Sequence, residues 1–228
     1  MALARWMRRF AQWHIWLGWI VGLPILMWTV TGLWMVARPI EEVRGEQLRA
    51  QGVAVDPAKV RVPANIGEPV QEMRLVAQPD GAQWIVTTAD GTRLRYSAEF
   101  GTATPPVVKD EAQRIAESAY AGDGKFSGLT YLPPGEAPTE ARTSGAVWQA
   151  RFDDGTRVYI DDATGEVVAL RTDQWRLYDF MYGLHILDPQ AHEDAHNPFT
   201  IVFAVFSVFG ALLGCTLLFR RRKARVKA

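Results

Sequence analysis

One cysteine, Cys215, in 228 residues leaves no intrachain disulfide to hold any part of the fold. Histidine is almost as scarce. The four are His14, His185, His192 and His196, so the stretch from Ile40 to Arg171 has none, and its serines and threonines lack the usual base for nucleophilic catalysis. No strand is followed by G-x-G-x-x-G, which excludes the common flavin and nicotinamide fingerprint. Acidic residues are absent before Glu41 and after Asp194. Charge of either sign is absent from two long runs.

Those runs are the strongest signal present. Between Trp13 and Ala37 only His14, Thr29 and Thr31 interrupt the apolar and aromatic side chains, and between Phe199 and Phe219 only Thr200, Ser207, Cys215 and Thr216 do. Each meets the ~20 residues a helix needs to cross a bilayer. The first run is also too long for a signal-peptide core and lacks a clear cleavage site, so it reads as a retained anchor. Arg5, Arg8 and Arg9 precede it, while Arg220, Arg221, Arg222, Lys223, Arg225 and Lys227 follow the second. Both termini are therefore expected on the cytoplasmic side of a bacterial inner membrane, with residues 40–197 in the periplasm. Residues 38–197 carry 16 basic and 25 acidic groups, a net of −9 that the zero overall charge conceals. A domain this acidic argues against nucleic acid as a partner.

The middle of the chain repeats. Trp84 to Asp90-Gly91, then Thr92-Arg93, forms alternating runs around an Asp-Gly turn. Trp148 to Asp154-Gly155, then Thr156-Arg157, does the same 64 residues later. Ahead of the second hairpin, Ala112, Ile115, Ala116 and Ala119 share one face of a helix over 109–120, with Asp110 as its expected N-cap. Asp56-Pro57 marks a weaker helix start for the first copy. Residues 131–138, rich in proline, read as an exposed loop. The expected fold class is α+β: two transmembrane helices flank a periplasmic domain of two repeats, each a helix plus an antiparallel sheet. The expected divisions are a basic tail over 1–12, a span over 13–37, repeats over 40–106 and 107–171, an interfacial amphipathic segment over 174–188, a span over 199–219 and a basic tail over 220–228.

Trp148 to Phe152 and then Arg157-Val-Tyr-Ile-Asp-Asp-Ala-Thr-Gly-Glu-Val167 resembles the ending of a PepSY domain. His14-Ile-Trp-Leu-Gly-Trp with Thr31-Gly32, and Tyr178-Asp-Phe-Met-Tyr-Gly-Leu-His185, resemble the membrane segments of PepSY-associated transmembrane proteins. The resemblance implies either an accessory or regulatory protein that binds a membrane or periplasmic protein, in iron acquisition, or a haem-binding electron-transfer subunit of a ferric-siderophore reductase system. The second reading draws on larger relatives that carry haem b, and this chain departs from them in having only two spans.

The candidate haem ligands are His14 and His185. They lie near opposite ends of the apolar layer, so they cannot share one iron within one subunit. His14 reads equally as an interfacial side chain, and His185 as part of an aromatic shelf that sets the domain on the bilayer, where Arg176 and Asp179 would pair. His192-Glu-Asp-Ala-His196 matches the zinc-protease pattern H-E-x-x-H, but Asn197-Pro198 follows at once, which leaves His192 and His196 as candidate metal ligands in a polar connector. Gly18-x-x-x-Gly22 and Gly210-x-x-x-Gly214 are small-residue pairs suited to close helix packing, either within the chain or in a homodimer.

Overall fold

A computed structural model describes residues 2–225; residue 1 and residues 226–228, the ends of the two expected basic tails, lie outside the described residues. The chain runs α1 (Ala2–Val36), α2 (Ile40–Val43), β1 (Val70–Val76), β2 (Gln83–Thr88), β3 (Arg93–Ser97), β4 (Ala103–Thr104), α3 (Lys109–Ala119), β5 (Phe126–Leu132), β6 (Val147–Phe152), β7 (Arg157–Asp161), β8 (Val167–Arg171), α4 (Asp173–His185) and α5 (Pro198–Arg225). Two units result. Residues 39–176 form a two-sheet unit, and residues 1–38 with 177–228 form a helical unit.

The two-sheet unit holds two four-stranded antiparallel sheets, ordered β1-β2-β3-β4 and β5-β6-β7-β8. Strands β6, β7 and β8 begin 64 residues after β2, β3 and β4. Strand β5 begins only 56 after β1, because 14 residues link β5 to β6 where six link β1 to β2. Each hairpin turn is closed the same way. Gly91 and Gly155 sit at φ +86° and +84°, which any other L residue would adopt at a cost, and each follows an aspartate that caps the next threonine. Asp90 accepts from Thr88 Oγ1 at 2.5 Å, from Thr92 N at 3.1 Å and from Thr92 Oγ1 at 2.9 Å. The Thr88 hydroxyl first, then Thr92, holds the Asp90 carboxyl down at about 2, below its ordinary 3.8. A depressed folded value means the turn's stabilisation is complete above the unfolded pKa and is lost as pH falls from about 4 to about 2. Asp90→Asn is expected to flatten the dependence of Tm on pH across that window.

The second sheet carries the main core. Val107, Ala112, Ile115, Ala116 and Tyr120 on and around α3 pack against Ala150, Phe152, Val158, Ile160 and Leu170, all buried. This core also takes what was expected of the first repeat. Leu48 packs on it, Ala50 N donates to Ala119 O at 3.0 Å, and Ala121 N donates to Leu48 O at 2.9 Å.

The first sheet consequently has no α-helix of its own, which corrects the expectation of one helix per sheet. Asp56 caps only a single 3-10 turn, Pro57–Lys59. Val53, Val55, Val60 and Val62, with Pro63 close behind, give that segment β-branched stiffness and no apolar stripe at helical spacing. Two smaller corrections follow. Helix α3 starts at Lys109 behind Val108, with no side-chain cap, so Asp110 lies inside its first turn. Of residues 131–138, Tyr131 and Leu132 end β5 and Ala137 is partly buried against the second sheet, and just beyond them Glu140 and Ala141 are buried.

The sheets interlock through charge. Residues 74, 85, 95 and 104 are in register across the first sheet and so share one face. Into that face goes the β7–β8 turn. Arg93 pairs with Asp161 at 3.1 Å and with Glu166, Arg74 pairs with Glu166 at 2.9 Å, and Gln78 Nε2 donates to Thr164 O at 2.7 Å. Gly165 is required there: its φ is +71°, and a Cβ would sit 2.8 Å from Gln78 Nε2. Arg95, its side chain 1% exposed, reaches Glu111 of α3 at 2.6 Å.

The helical unit is an antiparallel pair. On α1, His14, Leu17, Val21, Pro24, Met27 and Thr31 are partly or wholly buried, at steps of three or four, and on α5 Phe203, Ser207, Gly210, Gly214 and Leu217 are. Both series run in such steps, the seam of a helix pair. The remaining surface is apolar and bare: Trp16, Trp19, Leu23 and Phe199 are all exposed. The spans are Arg5–Val36 and Pro198–Leu218, with mean hydropathies of 1.7 and 2.5. Such a surface is stable only where hydrocarbon replaces water.

Candidate functional site

All four histidines sit in the helical unit, and three of them rest against a helical glycine. His14 lies over Gly214, where a Cβ would come 3.0 Å from its Cε1. Its Nδ1 is 3.1 Å from Gly210 O. A carbonyl only accepts, so Nδ1 donates to it; in the neutral ring the lone pair then lies on Nε2. His185, at the last turn of α4, lies over Gly32, with a Cβ there again 3.0 Å from Cε1. It stacks on Trp28 at 4.7 Å between ring centroids, and its Nδ1 lies 3.1 Å from Thr31 Oγ1 and 3.2 Å from Trp28 O. Thr31, 3% exposed, also donates to Met27 O at 2.9 Å.

His192 closes the connector between α4 and α5. It faces Gly183 so closely that a Cβ would sit 2.2 Å from its Cδ2. Its Nδ1 lies 2.6 Å from Asp179 Oδ2 and its Nε2 lies 3.1 Å from Pro189 O. Both partners are acceptors, an arrangement that a doubly protonated ring satisfies. Asp188 organises the same connector. Its carboxylate accepts from the backbone of Asp194, Glu193 and Ala191, which holds its pKa down at about 2. Asn197 Oδ1 then caps α5 by accepting from Thr200 N at 3.0 Å. Gly183→Ala is expected to push His192 out and open the connector. Cleavage after Glu193 by a glutamate-specific protease should quicken several-fold, with the unfolding midpoint of the two-sheet unit unchanged.

The structure keeps His14 and His185 apart and arranges the other sequence candidates differently from the expected pattern. His14 and Thr31, the His185 contact, are 17 residues apart on one helix, about 25 Å. The chain thus offers one imidazole at each of two depths. His192 and His196 are not one helical turn apart, because His192 has φ +57° and the segment is irregular. Among the described residues no three metal-ligating side chains converge. Gly210 and Gly214 face α1, meeting Leu17 Cβ at 3.9 Å and His14, but a Cβ at Gly18 or Gly22 would meet nothing within 4 Å. The seam therefore runs through His14, Leu17 and Val21, one position away from the glycine pair of α1. Arg176 binds Asp173 and Gly155 O, and Asp179 binds His192.

With two bare apolar helices and this helix-seated histidine set in view, comparison with known families is decisive. A family model described as the PepSY-associated TM region matches residues 11–228. The chain belongs to that family. No curated protein and no solved structure matches it. As a member of the PepSY-associated TM family it is a membrane protein with two transmembrane helices and an α+β region between them.

The glycine seats were the part that sequence reasoning missed. Gly32 and Gly183 belong to no G-x-x-x-G pair, and only the spatial partner reveals why a side chain is missing there. The one available signal was Thr31-Gly32 inside an otherwise bulky span.

Proposed function

We propose that this PepSY-associated TM protein is a non-catalytic accessory or regulatory subunit of iron uptake in a bacterial inner membrane. Both termini face the cytoplasm, and residues 40–197 are displayed in the periplasm to a protein partner. The observation that supports this best is the outer edge of the first sheet. Among the described residues strand β1 pairs only with β2, leaving one side of its backbone without a strand partner, and Val70 and Leu75 on it are exposed. An open edge with apolar side chains is a template for an added strand. The two-sheet unit has no histidine, and its Arg74, Arg93, Arg95, Glu111 and Glu166 are engaged in ion pairs within it.

The test is a photo-crosslinking amino acid at Gln71 on β1, used in cells grown with and without iron, with a matched probe at Asp123 as reference. One specific adduct from position 71, absent from position 123, is the expected result. Equal labelling of unrelated proteins from both positions would contradict it.

A second reading has its own support. The bond from His14 Nδ1 to the Gly210 carbonyl would leave Nε2 of the neutral ring to face a haem iron. His14 and His185 would each supply one ligand nitrogen at separate depths, and a second ligand for each would come from another chain. Haem bound there would supply one-electron transfer between a donor and a ferric complex.

A further inference from the structure

The two sheets present the same polar face to two different fillers. Residues 130, 149 and 159 share a face of the second sheet as 74, 85 and 95 do in the first. At the 64-residue offset Arg93 corresponds to Arg157, and Arg95 to Tyr159. In the first sheet the pair meets carboxylates of the β7–β8 turn and α3, as described above. In the second it meets Glu140, carried on the 14-residue β5–β6 loop that the first sheet lacks.

Glu140 Oε1 lies 2.8 Å from Arg157 Nη1 and accepts from Tyr159 Oη at 2.5 Å. Arg171 Nε donates to Glu140 O at 2.8 Å, and Arg176 Nη1 stands 3.7 Å from Glu140 Oε2. That Arg176 nitrogen is buried and has no hydrogen bond. Arg151 is in register beside Arg157. Arg157 and Arg176 thus share the Glu140 carboxylate, Arg171 holds its main-chain carbonyl, and Asp173 is the other acid on Arg176.

We propose that this arginine face of the second sheet docks an acidic β-turn of a partner protein, and that Glu140 on its loop is the resident stand-in for that turn. The inference rests on the reading that the two-sheet unit binds a protein. The chain itself shows the chemistry that fits. Its turn 161–166 presents Asp161 and Glu166 either side of Gly165, and these ends engage the equivalent arginine of the first sheet. A partner turn with two carboxylates five residues apart would displace Glu140 and bring the acceptor that Arg176 lacks. An exposed acidic helix or a nucleic-acid phosphate would not reproduce the turn's backbone contact, Gln78 to Thr164 O, seen in the first sheet.

The probe is a fluorescein-labelled synthetic hairpin of residues 157–171, titrated against the full chain in detergent by anisotropy. Glu140→Ala is expected to bind it at least tenfold more tightly than the wild type. Arg157→Ala added to Glu140→Ala should abolish that gain, Arg93→Ala should not, and a peptide carrying Asp161→Asn and Glu166→Gln should fail to bind. Circular dichroism verifies folding. Glu140→Gln, which keeps the Tyr159 hydrogen bond, serves if Glu140→Ala unfolds, with a smaller gain in the same direction. A folded Glu140 variant that binds the peptide no better than wild type would overturn the proposal. So would sensitivity to Arg93 instead of Arg157, since the peptide would then be replacing the chain's own turn. Self-association of the Glu140 variant without peptide would assign the face to a second copy and also overturn it. A crosslinked partner at position 71 together with a negative peptide assay would leave partner binding standing and remove only this face.

Discussion

Glu111→Ala is expected to destabilise the two-sheet unit by about 3–5 kcal/mol, the cost of leaving a buried charge without its counter-ion. The charge is that of Arg95. Its side chain is 1% exposed, and Glu111 takes Nη1 at 2.6 Å and Nη2 at 3.2 Å. The remaining contacts are Pro105 O at 2.7 Å and Gln78 Oε1 at 3.3 Å, and Nε already has no acceptor. Neither neutral oxygen can balance a guanidinium once Glu111 is gone. Because Arg95 belongs to the first sheet and Glu111 to the helix of the second, the loss should release one sheet from the other. Denaturant unfolding of the detergent-solubilised protein should change from one transition to two. Asp80→Ala provides the contrast. Its pair with Arg114 has the same chemistry at 2.6 Å, but both side chains are about half exposed, so the expected loss is below about 1 kcal/mol.

Phe152→Ala is expected to cost about 3–5 kcal/mol by removing a buried ring and leaving a cavity. Phe152 is 5% exposed, lies 4.2 Å from the Tyr120 ring and meets Phe126 edge-on at 6.2 Å. It joins α3 to the second sheet, where the main core lies. Here the unfolding should remain a single transition at a lower midpoint, since the first sheet depends on the second for its charged partners. If Phe152→Ala instead left the second sheet intact while the first melted, the assignment of the main core would be wrong.

The hairpins were legible because their determinants are local. Asp-Gly between alternating runs specifies a turn and its register, and the 64-residue offset of Trp84 and Trp148 carried over to β2, β3 and β4 against β6, β7 and β8, though not to β1 against β5. The spans were equally legible, since twenty uncharged residues have few other uses. The missing first helix was not, because Leu48 and its neighbours are claimed by the second sheet's core, a choice made by packing partners about 70 to 120 residues away. Glu140 was hidden for the same reason. Nothing in the residues around Glu140 marks it, and only Arg157 and Tyr159 on the facing sheet show why it is buried. The histidine seats lie between these cases. His14 and His185 drew notice as ionisable groups at membrane depth, but the glycines that make room for them carry no signal until the helices are paired.

An ultraviolet-visible spectrum of the detergent-purified chain, oxidised and then reduced with dithionite, with haem quantified per chain, tests the central claim most directly. An accessory subunit expressed with ample iron should be colourless, with no Soret band in either state. Stoichiometric haem whose spectrum sharpens on reduction, and which is lost in His14→Ala or His185→Ala, would contradict that account and make the helical unit an electron-transfer site.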